Sequence, residues 1–143
     1  MVEVKRSPMS AKTILCIDDE EGMRKALDRL LRSISYRVIT APSGEEGLHK
    51  AREEHPDLIF LDVRMPGMDG FATLTRLREE GLGRIPVVML TAEGSEESSQ
   101  RGYREGSVYY ITKPFKNDYV CNIVEYLIGD PNEERRALLE TKL

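Results

Sequence analysis

The stretch LIFLDVRMPGMDG at residues 58–70 decides the fold of this 143-residue chain. Its first four residues are all apolar, without the alternation that marks a strand with one face in water. Such a run is typical of a strand buried on both faces of a parallel sheet. Asp62 follows directly where that strand should end. An aspartate in this place, with Met-Pro-Gly-Met-Asp-Gly behind it, indicates a functional site rather than a solvated charge.

Short apolar runs recur on both sides of this stretch, at 14–17, 38–39, 87–90 and 108–111. Amphipathic helical patterns lie between them: the first spans Met23 to Ile34, the third Phe71 to Leu77, and the fifth Val120 to Leu127. The second opens with a capping box in which Ser43 and Glu46 satisfy free amides. Strand and helix alternate five times, which predicts an α/β domain with a five-stranded parallel sheet, helices on both faces and right-handed crossovers.

Two segments fit this pattern less well. The fourth crossover helix should cover Ser95–Glu105, but Tyr103 is its only large apolar residue and Gly102 disfavours a helix interior. We therefore predict that this helix is short, frayed or mobile. After the fifth helix, Asp130-Pro131-Asn132-Glu133 predicts a new helix with Asp130 as its cap and Pro131 at its first position.

The chain accordingly divides into an N-terminal tail (1–11), a main domain (12–129) and a C-terminal helical extension (130–143). That extension is too short to be a stable helix alone. It could be a linker to an effector domain, a dimerisation element or a cover on the domain. Because it carries Leu138, Leu139 and Leu143, we expect it to pack against a partner or a neighbouring copy.

Composition excludes several classes of protein. The 21 basic and 25 acidic residues give a net charge of −4, which argues against direct binding of nucleic acid. No apolar run is long enough to span a membrane, and the first residues lack the apolar core of a secretory signal. Two cysteines make neither a disulfide framework nor a zinc site. We expect a cytoplasmic single-domain protein whose output belongs to another molecule, since 14 residues after 129 are too few for an effector domain.

Polar residues follow four of the predicted strands. Asp18, Asp19, Glu20 and Glu21 come after the first strand and Asp62 after the third, with Thr91 after the fourth and Lys113 after the fifth. In open parallel sheets, ligands bind at the carboxyl ends of the strands. These side chains should therefore converge at one edge of the sheet.

The convergence of carboxylates predicts a divalent cation, because Mg²⁺ prefers a few carboxylates, a carbonyl and waters. We expect Asp18, Asp19, Asp62 and the backbone carbonyl of Arg64 to hold Mg²⁺, for which Mn²⁺ can substitute. A metal and a lysine around one aspartate suit phosphoryl transfer. Asp62 would be the nucleophile, Lys113 would pair with phosphoryl oxygens, and the hydroxyl of Thr91 would hydrogen-bond one of them.

In its motifs, the chain resembles the receiver domains of two-component response regulators, in particular the stand-alone chemotaxis regulators. Four motifs carry the resemblance in order, over about Lys12 to Gly129: Ile17-Asp18-Asp19-Glu20, Leu61 to Gly70, Leu90-Thr91-Ala92, and Tyr110-Ile111-Thr112-Lys113-Pro114-Phe115. The resemblance implies a (βα)5 flavodoxin-like receiver fold, with the short C-terminal helix as an addition.

The resemblance also implies a role for each matching position. Asp62 would be the phosphoacceptor, Asp18 and Asp19 the metal carboxylates, and Thr91 the switch hydroxyl. Lys113 would be the invariant lysine in a cis bond to Pro114, and Tyr110 the aromatic switch. A histidine kinase or phosphotransfer protein would donate the phosphoryl group, and phosphorylation would remodel the face made of the fourth helix, fifth strand and fifth helix for a downstream protein target. A phosphorylation-dependent homodimer is left open.

Several alternatives to a phosphoacceptor role make different demands on these residues. Asp18 and Asp19 alone could simply cap the first helix. An aspartyl-phosphate phosphatase of the haloacid-dehalogenase type would need a second aspartate where this chain has Arg64. A flavodoxin-like cofactor module would need a Ser/Thr/Gly-rich loop after the first strand, where this chain has the acidic residues 18–21. A phosphorylation-independent adaptor is the remaining alternative. We expect a signalling switch rather than an enzyme, with only self-phosphorylation from phosphodonors and slow self-dephosphorylation.

Overall fold

Each of the five apolar runs forms a strand of one parallel sheet in the computed structural model, which describes residues 11–92 and 108–143. The sheet order is β2-β1-β3-β4-β5, so that β3, which ends at Asp62, is central. The strands are β1 (Thr13–Ile17), β2 (Arg37–Ala41), β3 (Leu58–Asp62), β4 (Val87–Ala92) and β5 (Val108–Lys113).

Five helices accompany these strands within the described residues: α1 (Glu21–Ser33), α2 (Gly44–Glu54), α3 (Gly70–Glu79), α4 (Asn117–Ile128) and α5 (Glu133–Glu140). Ser43 caps α2 by accepting a hydrogen bond from the Glu46 amide, as predicted. The helix predicted over Ser95–Glu105 lies outside the described residues. The helix predicted as the fifth is therefore named α4 here, and the C-terminal one α5.

Alternate residues of each central strand enter different cores, which is why the apolar runs are continuous. Phe60 packs in one core with residues of α1 and α4, including Leu27 and Ile123. Its neighbour Leu61 packs in the other core with residues of α2 and α3, including Leu74. A strand covered by helices on both faces needs apolar side chains at every position. The predicted α/β architecture is confirmed.

The loop after β3 returns tightly onto the strand that it leaves. Gly70 is the first residue of α3, and its amide donates to the Val63 carbonyl at 2.9 Å. A Cβ atom at position 70 would collide with the Asp62 carbonyl oxygen and lie 2.8 Å from the Val63 Cα. Only glycine therefore lets the start of α3 approach the backbone of Asp62 this closely.

The start of the C-terminal helix differs from the prediction. Asn132, rather than Asp130, is the cap of α5, and its side chain accepts a hydrogen bond from the Arg135 amide at 2.8 Å. Asp130 has a φ of 52°, and its carboxylate instead lies 2.8 Å from the Lys12 ammonium. The prediction of Asp130 as cap and Pro131 as first helical residue was therefore wrong by two positions, because both Asp and Asn favour a cap.

The C-terminal helix packs on its own domain, next to α4. Leu139 is fully buried there, whereas Leu138 and Leu143 are exposed. Leu139 is thus buried by its own domain, while contact of the extension with a partner or a neighbouring copy stays a prediction. None of the helices in the described ranges is long and apolar enough to cross a membrane.

Candidate functional site

Two buried carboxylates meet at the carboxyl edge of the sheet. Asp62 is the last residue of β3, and Asp18 follows the last residue of the neighbouring strand β1. The accessible fractions of these two residues are 6% and 0%. Asp18 is held by its backbone as well: its amide donates to the Ala41 carbonyl at 3.1 Å, and its own carbonyl accepts from the Arg24 guanidinium at 2.9 Å.

Lys113 brings a positive charge to this pair from the end of β5. Its ammonium nitrogen lies 3.3 Å from Asp18 Oδ2, 3.4 Å from Asp62 Oδ1 and 3.7 Å from Glu20 Oε1. Burial alone would lower the pKa of Lys113, but Asp18 and Asp62 outweigh it and hold that pKa above its usual value. The peptide bond from Lys113 to Pro114 is cis, as predicted. Lys113 is therefore a fixed cation between the carboxylates.

Opposing effects act on the pKa of the Asp62 carboxyl group. Burial, followed by the negative charge of Asp18, raises its pKa from 3.8 to about 6. Lys113 and a hydrogen bond from the Arg64 backbone amide act in the opposite direction. Asp62 is thus ionised at neutral pH but carries a charge that its surroundings only partly neutralise.

The oxygen atoms at this edge fit a hard divalent cation. Carboxylate oxygens of Asp18, Glu20 and Asp62 all lie within 4.8 Å of one another. Burial and, after it, repulsion from Asp18 raise the pKa of Asp62, and a bound cation would relieve that repulsion. An all-oxygen set of acidic side chains is the donor chemistry that Mg²⁺ prefers.

Only two of the three carboxylates predicted to bind the metal lie together in the structure. Asp18 and Asp62 are brought together, whereas Asp19 is exposed and lines the adjoining cavity without joining the carboxylate cluster. Arg64 lines the same cavity. Glu20 takes the third place in the cluster, a role that the sequence reasoning missed. The only signal was its position within the acidic run 18–21.

The two predicted switch residues lie on β4 and β5. Thr91 is 1% accessible, and its hydroxyl is buried without a hydrogen-bond partner among the described residues. A buried hydroxyl is costly unless it finds a partner. Tyr110 is half-buried, its hydroxyl oxygen is also buried, and its ring packs against the core formed with α2 and α3.

An open cavity of about 540 Å³ gives access to this group of side chains. Asp62 and Lys113 line it together with apolar residues such as Met23 and Leu90. The site therefore presents a partly shielded carboxylate, a cation beside it and room for a small phosphorylated group or a side chain that carries one.

Comparison with known proteins places the chain in a family. Residues 14–125 match the model of the family described as response regulator receiver domain. The chain is 45% identical over 104 residues to the alkaline phosphatase synthesis transcriptional regulatory protein PhoP of Bacillus subtilis, and 42% identical over 107 residues to the probable transcriptional regulator ycf27 of Cyanophora paradoxa. These matches cover 73% and 75% of the chain but only 43% and 44% of those relatives. The chain thus spans less than half the length of the curated relatives that it matches.

Solved structures agree with the family match. The chemotaxis protein CheY4 of Vibrio cholerae superposes with a TM-score of 0.75 at 31% identity, covering 83% of this chain and all of that one. A putative response regulator from Chloroflexus aurantiacus superposes with a TM-score of 0.76 at 32% identity, covering 84% of this chain and 99% of that one.

Proposed function

The chain belongs to the response regulator receiver domain family of two-component systems, and we propose that its Asp62 accepts a phosphoryl group in a Mg²⁺-dependent reaction. One observation carries the proposal: carboxylate oxygens of Asp18 and Asp62 lie 3.3 and 3.4 Å from the ammonium nitrogen of Lys113. Three strands bring these groups to the same sheet edge. Together they form a nucleophile with a fixed counter-charge beside it.

In the proposed step, an oxygen of the Asp62 carboxylate attacks the phosphorus of a phosphohistidine on a histidine kinase or phosphotransfer protein. The phosphorus–nitrogen bond breaks, its electron pair returns to the imidazole ring, and that ring takes up a proton from solvent. The product is an acyl phosphate on Asp62. Although the Asp62 pKa is raised, its value of about 6 still lies below neutral pH, so the ionised form that attacks predominates there.

Lys113 is the group that stabilises the charge of the incoming phosphoryl oxygens. Its ammonium already lies between Asp18 and Asp62, so it can shift toward a phosphoryl oxygen without crossing the site. Phosphoryl transfer depends mostly on positioning and charge neutralisation. A fixed ammonium beside the nucleophile supplies both.

Asp18, Asp62 and Glu20 are the carboxylates that would hold the divalent cation in this conformation, with Asp19 and the Arg64 carbonyl as the other predicted ligands. When bound, Mg²⁺ neutralises negative charge on carboxylate and phosphoryl oxygens. The protein residues contribute the arrangement: Arg24 holds the Asp18 carbonyl, and β3 fixes Asp62.

Thr91 and Tyr110 are the proposed readout of phosphorylation. The Thr91 hydroxyl is buried without a partner among the described residues, and a phosphoryl oxygen on Asp62 would provide one. Tyr110 lies on the neighbouring edge strand β5, where it pairs with Met89, two residues before Thr91, and its reorientation would alter the surface around that strand. We propose that a downstream protein recognises this altered surface, and that the domain acts as a switch rather than as an enzyme with turnover.

The test is phosphorylation by a small-molecule donor. The full chain is incubated with phosphoramidate in the presence of Mg²⁺ or of a chelator, and its intact mass is measured. We expect the addition of one phosphoryl group with Mg²⁺ and none with the chelator. Asp62→Asn should abolish the gain. Asp57→Asn is the matched control, because Asp57 stands just before the other end of β3 and accepts a hydrogen bond from the Thr13 amide.

The outcomes separate the proposal from the alternatives. Binding of Mg²⁺ without any gain in mass would overturn the proposal and favour the phosphorylation-independent adaptor. Continuous release of phosphate from a phosphomonoester would instead indicate phosphatase chemistry.

A further inference from the structure

The C-terminal helix α5 touches the domain through a single narrow strip. Arg135 is half-buried and Leu139 is fully buried, whereas the other six residues of α5 are exposed. Two positions four residues apart lie on one face of a helix. The buried part of the α5 contact is thus one side chain wide.

The surface of α4 that receives this strip is complementary to it. The Arg135 guanidinium donates two hydrogen bonds to the Glu125 carboxylate, at 2.7 and 2.8 Å. The Tyr126 hydroxyl donates to Glu140 at 2.8 Å, and the guanidinium of Arg136 lies 4.5 Å from the centre of the Tyr126 ring. Glu125 and Tyr126 therefore contact three charged side chains of α5, and the bidentate pair fixes the position of Arg135, one turn before the buried Leu139.

The connection between α4 and α5 is short and anchored at its start. Lys12 donates to the Ile128 carbonyl at 2.6 Å and to the Asp130 carboxylate at 2.8 Å. Residues 129–132 alone join the two helices. A helix tied so close to its docking surface has a high effective concentration there, of millimolar order for a short flexible linker.

The docking of α5 is nonetheless weak by its composition. One side chain is fully buried, and the Arg135–Glu125 pair is still about two-fifths exposed. Exposed ion pairs contribute little to stability. An eight-residue helix is also too short to persist in water without its partner surface. The contact therefore depends on Leu139 and on the two-pronged match of Arg135 to Glu125, with the tether adding to both.

We propose that the α4 surface around Glu125 and Tyr126 is a docking site for an amphipathic helix, and that α5 is its resident, detachable occupant. A partner helix with an arginine four residues before a leucine would have to displace α5 to bind there. The tethered helix is thus an intramolecular competitor for this surface. The proposal does not rest on phosphorylation, and its tests use no phosphodonor.

The first test compares two adjacent leucines by hydrogen exchange in the full chain. Leu139→Asp removes the buried contact, so amides of α5 should exchange at least about 10-fold faster. Leu138→Asp is the matched control, because Leu138 is 47% exposed, and exchange should stay within about twofold of the wild type. Equal exchange in the two variants would overturn the proposal.

The second test supplies the helix in trans. A labelled peptide with the sequence of residues 130–143 should bind the Leu139→Asp chain at least about 10-fold more tightly than the wild type, whose own α5 competes. Adding Glu125→Arg should abolish that binding, and a peptide carrying Arg135→Glu should restore it. Equal binding to both chains, no binding to either, or a failed charge swap would overturn the proposal.

If Leu139→Asp impairs folding, charge reversal within the full chain replaces it. Glu125→Arg alone should accelerate exchange of the α5 amides, and the double variant Glu125→Arg with Arg135→Glu should return exchange to the wild-type rate. Failure of the second reversal to restore protection would contradict a specific docking contact.

Discussion

At the scale of single residues, Asp62 carries a charge that its own surroundings disfavour. Burial and Asp18 raise its pKa to about 6, while Lys113 and the Arg64 amide counteract this only in part. A buried carboxylate that must stay ionised destabilises the folded chain until a cation or a phosphoryl group changes the balance of charge. Perturbed groups of this kind are concentrated at functional sites.

This residue leads to a stability prediction. Without divalent cation, Asp62→Asn should raise the free energy of unfolding at pH 7.5 by about 1–3 kcal/mol, since it removes a carboxyl whose folded pKa exceeds its ordinary value. Ionisation of Asp62 opposes folding above pH 6, and this penalty shrinks as the pH falls through 6 toward 3.8. The gain from the substitution should therefore shrink at pH 4.5. Urea unfolding in the presence of a chelator, at pH 7.5 and at pH 4.5, measures this gain, with Asp57→Asn as the control. A loss of stability in Asp62→Asn at pH 7.5 would contradict the prediction.

The neighbouring carboxylate of Glu20 leads to a second prediction. Because Glu20 lies with Asp18 and Asp62 in one cluster, Glu20→Gln should weaken Mg²⁺ binding by on the order of 10-fold. Glu21→Gln changes the adjacent exposed residue, the first of α1, and should leave the affinity nearly unchanged. Titration calorimetry with Mg²⁺ compares the two, and equal affinities would remove Glu20 from the site.

At the scale of elements, the turn from β3 into α3 positions the nucleophile. Gly70→Ala should force the Asp62 and Val63 backbone away from the start of α3, since the new Cβ meets backbone atoms that cannot rotate away. We expect a loss of about 1–3 kcal/mol of stability, as for overpacking, and slower phosphorylation. Gly22→Ala is the matched control, because nothing lies within 4 Å of its added Cβ. Unfolding curves and phosphoramidate kinetics would show whether the two alanines differ.

The cap of α5 gives a second prediction at this scale. Asn132→Ala removes the side chain that accepts from the Arg135 amide and should destabilise the docked helix by about 1 kcal/mol. Asp130→Ala removes the contact with Lys12 but leaves that cap intact. Hydrogen exchange of the Arg135 amide should accelerate in the first variant and not in the second. The reverse result would restore Asp130 as the cap.

At the scale of the whole molecule, the sequence predicts the architecture and most of the site for one physical reason. Continuous apolar runs such as 58–61 suit strands covered on both faces, and parallel strands bring their carboxyl ends to one edge. Asp62 and Lys113 end such strands, Asp18 follows one, and Thr91 is the last but one residue of β4. Their convergence needs no knowledge of side-chain packing.

Details that depend on a local turn are harder to predict. Residues 18–21 are all acidic and both Asp19 and Glu20 are exposed, but the path of the backbone into α1 brings only Glu20 of these two into the cluster with Asp18 and Asp62. Leu138 and Leu139 are identical in type, yet only the docking of α5 on α4 determines which one is buried. Tertiary contacts, which a local sequence pattern does not specify, determine which acidic residue joins the site and which leucine is buried.

The molecule as a whole is proposed to be a switch whose single covalent event occurs at Asp62, and mapping that event tests the account most directly. The full chain is phosphorylated with phosphoramidate and Mg²⁺, treated with borohydride to reduce the acyl phosphate, digested, and sequenced by tandem mass spectrometry. The account predicts reduction at Asp62 alone. Reduction at Asp18, Asp19 or Glu20, or no reduced residue at all, would contradict it.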